Sequence, residues 1–270
     1  MTKLPFYRTL ASVAVISSLL MACDASNPQQ QAISATAQNV LIPTYSQWAG
    51  ANHQLAKSAE QFCSDKQTLE EAQQTWRNAQ NAWAELQAMA VGPLSEGNLA
   101  WQVQFWPDKK NLVGRQTQTL LKKFPDVTLE QLQRSSVVVQ GLSAYEYALF
   151  DENVDLTNPD VKAAYCPLLN AIGQHQAQLA GKVLAQWQDK NGMLHQLESF
   201  PNDRYIDASE ALTDLFRVHV GALDGLKKKL AMPIGRLSKG IPQPLQAESW
   251  RSDNSLRSMT ATILQRLLVK

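Results

Sequence analysis

Two spacings in this 270-residue sequence could do chemistry. In Gly141-Leu142-Ser143-Ala144-Tyr145-Glu146, Ser143 and Glu146 stand three residues apart, so a helix would place both on one face. A carboxylate set among Tyr145, Tyr147, Leu149 and Phe150 must find a partner or shift its pKa. Two readings of Glu146 stay open: a buried acid paired with an arginine, or a metal or proton site. His195 and Glu198 have the spacing of two ligands on one helix turn, but Gly192 and Pro201 bracket them, and a loop pair is expected. His219 falls on an apolar seam and reads as a core or interface residue. His53 and His175 read as helix-surface residues, and Lys227-Lys228-Lys229 as a solvated helix end whose charge suits the macrodipole. Trp101, Phe105 and Trp106-Pro107-Asp108 are too dense in aromatics for a loop that is not packed down.

The common catalytic signatures are missing. There is no His-Glu-x-x-His zinc helix and no phosphate loop. Gly141-Leu142-Ser143-Ala144-Tyr145 lacks the last glycine of a nucleophile elbow, and no strand precedes it. No Glu is followed three places on by His, which argues against the di-iron site of ferritin-like bundles.

These residues must be held by helices. Thr68 and Glu71 form a capping box, and Leu69, Ala72, Trp76, Ala79, Trp83, Leu86 and Ala90 then follow at alternating spacings of three and four, a heptad seam stopped by Gly92-Pro93. A preceding helix is expected from about Pro43 to Cys63, and another from Asn158-Pro159 to about Gln188, kinked or restarted at Pro167. Leu212, Phe216, His219, Leu223, Leu226 and Leu230 make a second seam, and Leu256, Met259, Ile263 and Leu267 a third. Shorter helices fit 113–124 and 128–150, and nothing alternates as a strand should. The fold class read from these patterns is all-α.

Composition agrees. Apolar residues make up 44% of the chain, too many for disorder. The net charge of +1 gives no basic face for displacing nucleic-acid counterions, so no nucleic-acid partner is expected. Lys3 and Arg8 precede an uncharged run from Thr9 to Met21, too short to span a membrane and of the length of a signal-peptide core. The run ends Leu20-Met21-Ala22-Cys23, which resembles the bacterial lipobox. The organisation expected is a leader over 1–22, acylation at Cys23, a Gln- and Ser-bearing tether over 23–38 and a helical domain over 39–270. The lipid would anchor the protein at the periplasmic face of a membrane, and Asp24 points weakly to the inner membrane. Export to an oxidising compartment favours a Cys63–Cys166 disulfide over two buried thiols.

The lipobox, the Trp-rich helix ending in Gly92-Pro93, Trp106-Pro107, the run from Gly141 to Phe150 and the late Glu248-Ser249-Trp250-Arg251-Ser252 together resemble the imelysin-like family of bacterial envelope proteins. The resemblance implies two bundle-like helical halves, near 39–157 and 158–270, with a site at their junction; few helices follow Ser252, a departure from the family that leaves a shortened second half as the expectation. It also implies a link to iron uptake, hence envelope iron-uptake proteins as partners and iron or another divalent metal as cofactor, and in the founding member peptidase activity. Gly141 and Glu146 match the family's Gly-x-His-x-x-Glu motif, but Ser143 replaces its histidine. A hydroxyl is a poor transition-metal ligand beside an imidazole, which leaves Glu146 as the one doubtful metal ligand. The expected site is therefore a polar pocket of Ser143, Glu146, Glu248, Arg251 and Ser252, walled by Trp106 and Tyr147, with Arg251 as partner of Glu146. The expected function is non-catalytic ligand or partner binding in iron acquisition, with a metal-dependent peptidase as the alternative.

Overall fold

The computed structural model describes residues 27–267, so Cys23 and the leader lie outside the described residues. Eleven α-helices follow in order: α1 Pro28–Thr36, α2 Ile42–Cys63, α3 Leu69–Gln87, α4 Leu99–Val103, α5 Leu112–Lys123, α6 Leu129–Gln133, α7 Leu142–Phe150, α8 Pro159–Gln188, α9 Met193–Glu198, α10 Ala208–Ala231 and α11 Ser255–Leu267. No strand occurs among the described residues, so the all-α expectation holds.

The centre is a bundle of α2, α3 and α8, with α7 against α3 and α11 along the far side of α3. The α3 seam does what its spacing promises: Ala72, Trp76, Ala79, Trp83 and Leu86 are all buried. Both halves of its capping box form, with the Glu71 carboxylate accepting from the Thr68 backbone and the Thr68 hydroxyl from the Glu71 backbone. Trp48, Trp76 and Trp187 are fully buried in one core, where Tyr45 and Trp187 stack 4.6 Å apart. Trp76 Nε1 donates to the Leu142 carbonyl at 3.0 Å, so the core itself fixes the start of α7. α8 runs through Pro167 as one helix of 30 residues. Gly173 lets it approach α2 closely, since a Cβ there would meet Ala56 Cα at 2.9 Å. Beside this contact the Cys63–Cys166 disulfide forms, with a Cα–Cα separation of 5.6 Å.

Three expectations are corrected. Residues 28–36, read as tether, are helical and joined through a π-helical turn (Ala37–Leu41) to α2; Ile33 and Ala37 are completely buried, and that anchors a polar stretch whose composition alone suggested a flexible chain. The boundary near 158 does not separate two packing units, because α8 belongs to the same core as α2 and α3. The α10 seam does not close into a bundle: Phe216 is 61% exposed and Leu223 49%. No described helix is long and apolar enough to cross a membrane.

Candidate functional site

Gly141 opens α7 and Ser143 and Glu146 share its first turns. The glycine is required by packing, because a Cβ at Gly141 would lie 2.2 Å from the Val103 carbonyl oxygen. α4 therefore presses its end against the start of α7, and Ser143 Oγ donates to the Phe105 carbonyl at 3.0 Å. The hydroxyl that replaces the motif's histidine is thus engaged as a backbone tie.

Glu146 is buried and accepts two hydrogen bonds from Ser252, from the backbone N–H at 3.0 Å and from Oγ at 2.8 Å. Burial pushes its carboxyl up to about 7, against the lowering effect of the Ser252 bonds and of the Arg251 charge, while Glu248 nearby raises it. The loop carrying Ser252 is tight, with Ser249 and Asp253 both left-handed at φ 55° and 54°. Strain of this kind persists only where surrounding contacts enforce it.

Arg251, expected to face Glu146, instead donates Nε to Asp151 Oδ2 at 2.8 Å and Nη2 to Asn111 Oδ1 at 2.8 Å. Its guanidinium lies over the rings of Trp250 and Tyr147. Burial works against the Asp151 carboxylate, but the bonds from Arg251 and Asn153 prevail and hold it below the usual range. The physical reason for the exchange is reach: the backbone at Ser252 is close enough to satisfy Glu146 directly, which frees the long arginine for the carboxylate at the end of α7.

Glu248 lies on the other side of the same loop and is completely buried. Its Oε1 receives Lys229 Nζ at 2.6 Å, and its Oε2 has no hydrogen-bond partner. Lys229 also donates to Gln87. Lys229, read as solvated, is 7% exposed. It falls on the stripe of α10 carrying Val218, Ala222 and Gly225, and that spacing was the available signal that it faces inward. Gln87 and Trp83 Nε1 both donate to Gln104 at 2.8 Å, extending a polar network that sequence reading did not anticipate. Trp106 Nε1 donates to the Gln246 carbonyl at 3.1 Å.

Two cavities flank the loop. One, of about 380 Å³, is lined by Trp83, Trp101, Trp106, Gln87, Lys229 and Glu248, with the small residues of α10 as its roof. The other, of about 760 Å³, is an open cleft between the 242–246 segment and the ends of α5 and α7, reached by Lys109, Asp151, Trp250 and Arg251. Ser143, Glu146, Tyr147 and Ser252 line neither. The single pocket walled by Trp106 and Tyr147 is thus divided: Trp106 faces the smaller cavity, while Tyr147 is buried and accepts from Gln118 at 2.8 Å. Ser252 and Glu146 are bonded to each other away from both cavities, and Ser143 is tied to the Phe105 carbonyl.

These residues do not fit a metal. No three His, Cys, Asp or Glu side chains among the described residues are grouped to hold one ion. Ser143 and the Oε1 oxygen of Glu146 are already engaged by protein groups. His195 and Glu198 sit on α9, a short helix and not a loop, and Glu198 accepts from Ser34 of α1 and from Gln38 of the π-helical turn. His175 is buried, which lowers its pKa, and His53 is exposed.

Comparison with known proteins agrees on the family. The family model described as Peptidase_M75, Imelysin, matches residues 41–264. No curated protein matches. A solved imelysin-like protein from Psychrobacter arcticum 273-4 is 20% identical with a TM-score of 0.72, covering 88% of this chain and 72% of its own. A protein from Parabacteroides distasonis ATCC 8503, described as an iron-regulated protein A precursor, is 19% identical with a TM-score of 0.68, covering 90% and 74%.

Proposed function

We propose that this chain, which belongs to the imelysin family, is a non-catalytic binding component of the bacterial envelope, held at the periplasmic face of a membrane through an acylated Cys23 and serving iron acquisition. The similarity to an iron-regulated protein A precursor supports the link to iron, and the leader-like pattern of residues 1–22 followed by Cys23 supports the location. One observation carries the binding role: Glu248 is fully buried in the wall of a tryptophan-lined cavity with one carboxylate oxygen unpartnered.

An unsatisfied buried acceptor costs about 1–3 kcal/mol, and a ligand's N–H or O–H group would recover that cost. Three tryptophans offer stacking surface, and Lys229, Gln87 and Gln104 fix orientation. The ligand class is a small molecule with a flat or apolar body and hydrogen-bond donors. The peptidase reading rests on the family's name; the motif face of this chain supplies neither the imidazole nor three ligands, whereas a catalytic metal ordinarily takes about three protein ligands and an open position.

Native mass spectrometry of the protein isolated from its own envelope tests the reading. A bound small molecule is expected, lost in Trp101→Ala, a substitution at a side chain 44% exposed and so safe for folding. Protein that arrives free of any small molecule, or a molecule retained equally by Trp101→Ala, would overturn it.

A further inference from the structure

α10 is amphipathic on both sides, and only one side is used. Its inner stripe roofs the tryptophan-lined cavity. Its outer stripe carries Phe216, Val220, Leu223 and Leu230, exposed by 61%, 57%, 49% and 48%. Scattered apolar residues on a surface need no explanation, but four aligned on one helix stripe, broken once by Lys227, do. The spacings of four, three and seven are those of a coiled-coil seam, with Phe216, Leu223 and Leu230 at one core position and Val220 and Lys227 at the other. Over 24 residues the helix offers a face about 36 Å long.

We propose that this face binds a second copy of the same chain, with the two α10 helices antiparallel about a two-fold axis near Gly221 and Ala222. The flanking charges carry the choice of occupant and of direction. Arg217 and Asp224 each follow a core residue, Phe216 and Leu223, by one place, so both lie on the same edge of the seam. In an antiparallel pair like edges meet, and Arg217 of each copy comes beside Asp224 of the other, twice by symmetry. A parallel pair would bring that edge against His219 and Leu226, with no ion pair formed. The same register puts Val220 against Leu223 and Phe216 against Lys227, an apolar core closed at each end by a cation over a ring. Arg217 is 72% exposed at its side chain and, among the described residues, pairs with Asp214 one turn back, so it can swing across. The face is thus complementary to itself in apolar pattern and in charge. The inference does not depend on the cavity's ligand, because the outer stripe and the roof are opposite sides of the helix.

Sedimentation velocity on the purified chain at roughly 1–100 µM is the test. A two-chain species is expected, and Leu223→Asp, at an exposed position, should give a monomer with an unchanged circular-dichroism spectrum. Arg217→Glu should weaken the dimer roughly tenfold, and adding Asp224→Arg in the same chain should restore it. A wild-type monomer throughout that range, a dimer indifferent to Leu223→Asp, or no recovery in the double charge swap would overturn the proposal. A monomer whose binding to phosphatidylglycerol vesicles falls with Leu223→Asp would overturn it too, assigning the face to a lipid surface.

Discussion

Glu146 and Ser252 are joined by two hydrogen bonds across 106 residues of chain, the backbone N–H and the hydroxyl of Ser252 both donating to one carboxylate oxygen. This bond pair closes α7 against the 247–254 loop and sets a pH dependence. The folded pKa of Glu146 is raised from 4.5 to about 7, chiefly by burial. The folded state therefore holds a proton that the unfolded state has released between those values. Stability from this group is fully present below about 4.5 and is lost as pH rises through about 7. Wild type should lose up to about 3 kcal/mol between pH 5 and 8 relative to Glu146→Gln, which keeps an acceptor for Ser252 and does not titrate. Urea unfolding of both proteins at the two pH values measures this; parallel pH dependences would refute it.

The Cys63–Cys166 bond closes a loop of 103 residues between α2 and α8. Replacing both cysteines by serine should cost about 3–5 kcal/mol in chemical denaturation. Thiol labelling of the unreduced, unfolded protein should find neither cysteine reactive; two labelled thiols would disprove the bond.

Gly141 and Gly181 separate packing from propensity. At Gly141 a methyl group would collide with two carbonyl oxygens, those of Val103 at 2.2 Å and Gln102 at 2.5 Å, whereas nothing lies within 4 Å of the corresponding point at Gly181. Gly141→Ala should destabilise by about 2–4 kcal/mol or prevent folding, because backbone must move. Gly181→Ala, inside α8, should stabilise by about 0.5–1 kcal/mol. Melting temperatures that shift in the same direction would contradict this pairing.

The Arg251–Asp151 pair is nearly dry, with side chains 5% and 9% exposed. Arg251→Ala leaves the Asp151 carboxylate without its main partner and should cost about 3–5 kcal/mol. Adding Asp151→Asn should recover much of that loss, since the stranded charge is then removed. A double-mutant cycle on unfolding free energy reports it, and additive losses would show the two residues to be uncoupled.

Periodicity made α3 legible, a cap and a proline marked the start of α8, and α11 forms where its seam lies although Leu256 and Ile263 of that seam are exposed; the structure brings Glu146 of α7 against Ser252. What periodicity states is that a helix has an apolar stripe, not what covers the stripe. Phe216 and Leu223 were expected inside a bundle for that reason and are exposed. Polar composition misled in the opposite direction at residues 28–36, where the burial of Ile33 and the bonds of Gln30 and Ser34 to Glu198 dock a helix. The pairing of Lys229 with Glu248 was hidden because a run of three lysines reads as a solvated end, and only its phase relative to Gly225 and Ala222 turns the third inward. The partner of Glu146 was missed because a backbone N–H carries no signature in sequence.

Metal content of the purified protein, with peptide hydrolysis assayed before and after a chelator, tests the non-catalytic reading most directly. Ser143 is tied to the Phe105 carbonyl and Glu146 to Ser252, so the expected result is metal well below one ion per chain and no chelator-sensitive cleavage. One tightly held ion per chain, together with hydrolysis abolished by the chelator and restored by the metal, would contradict it.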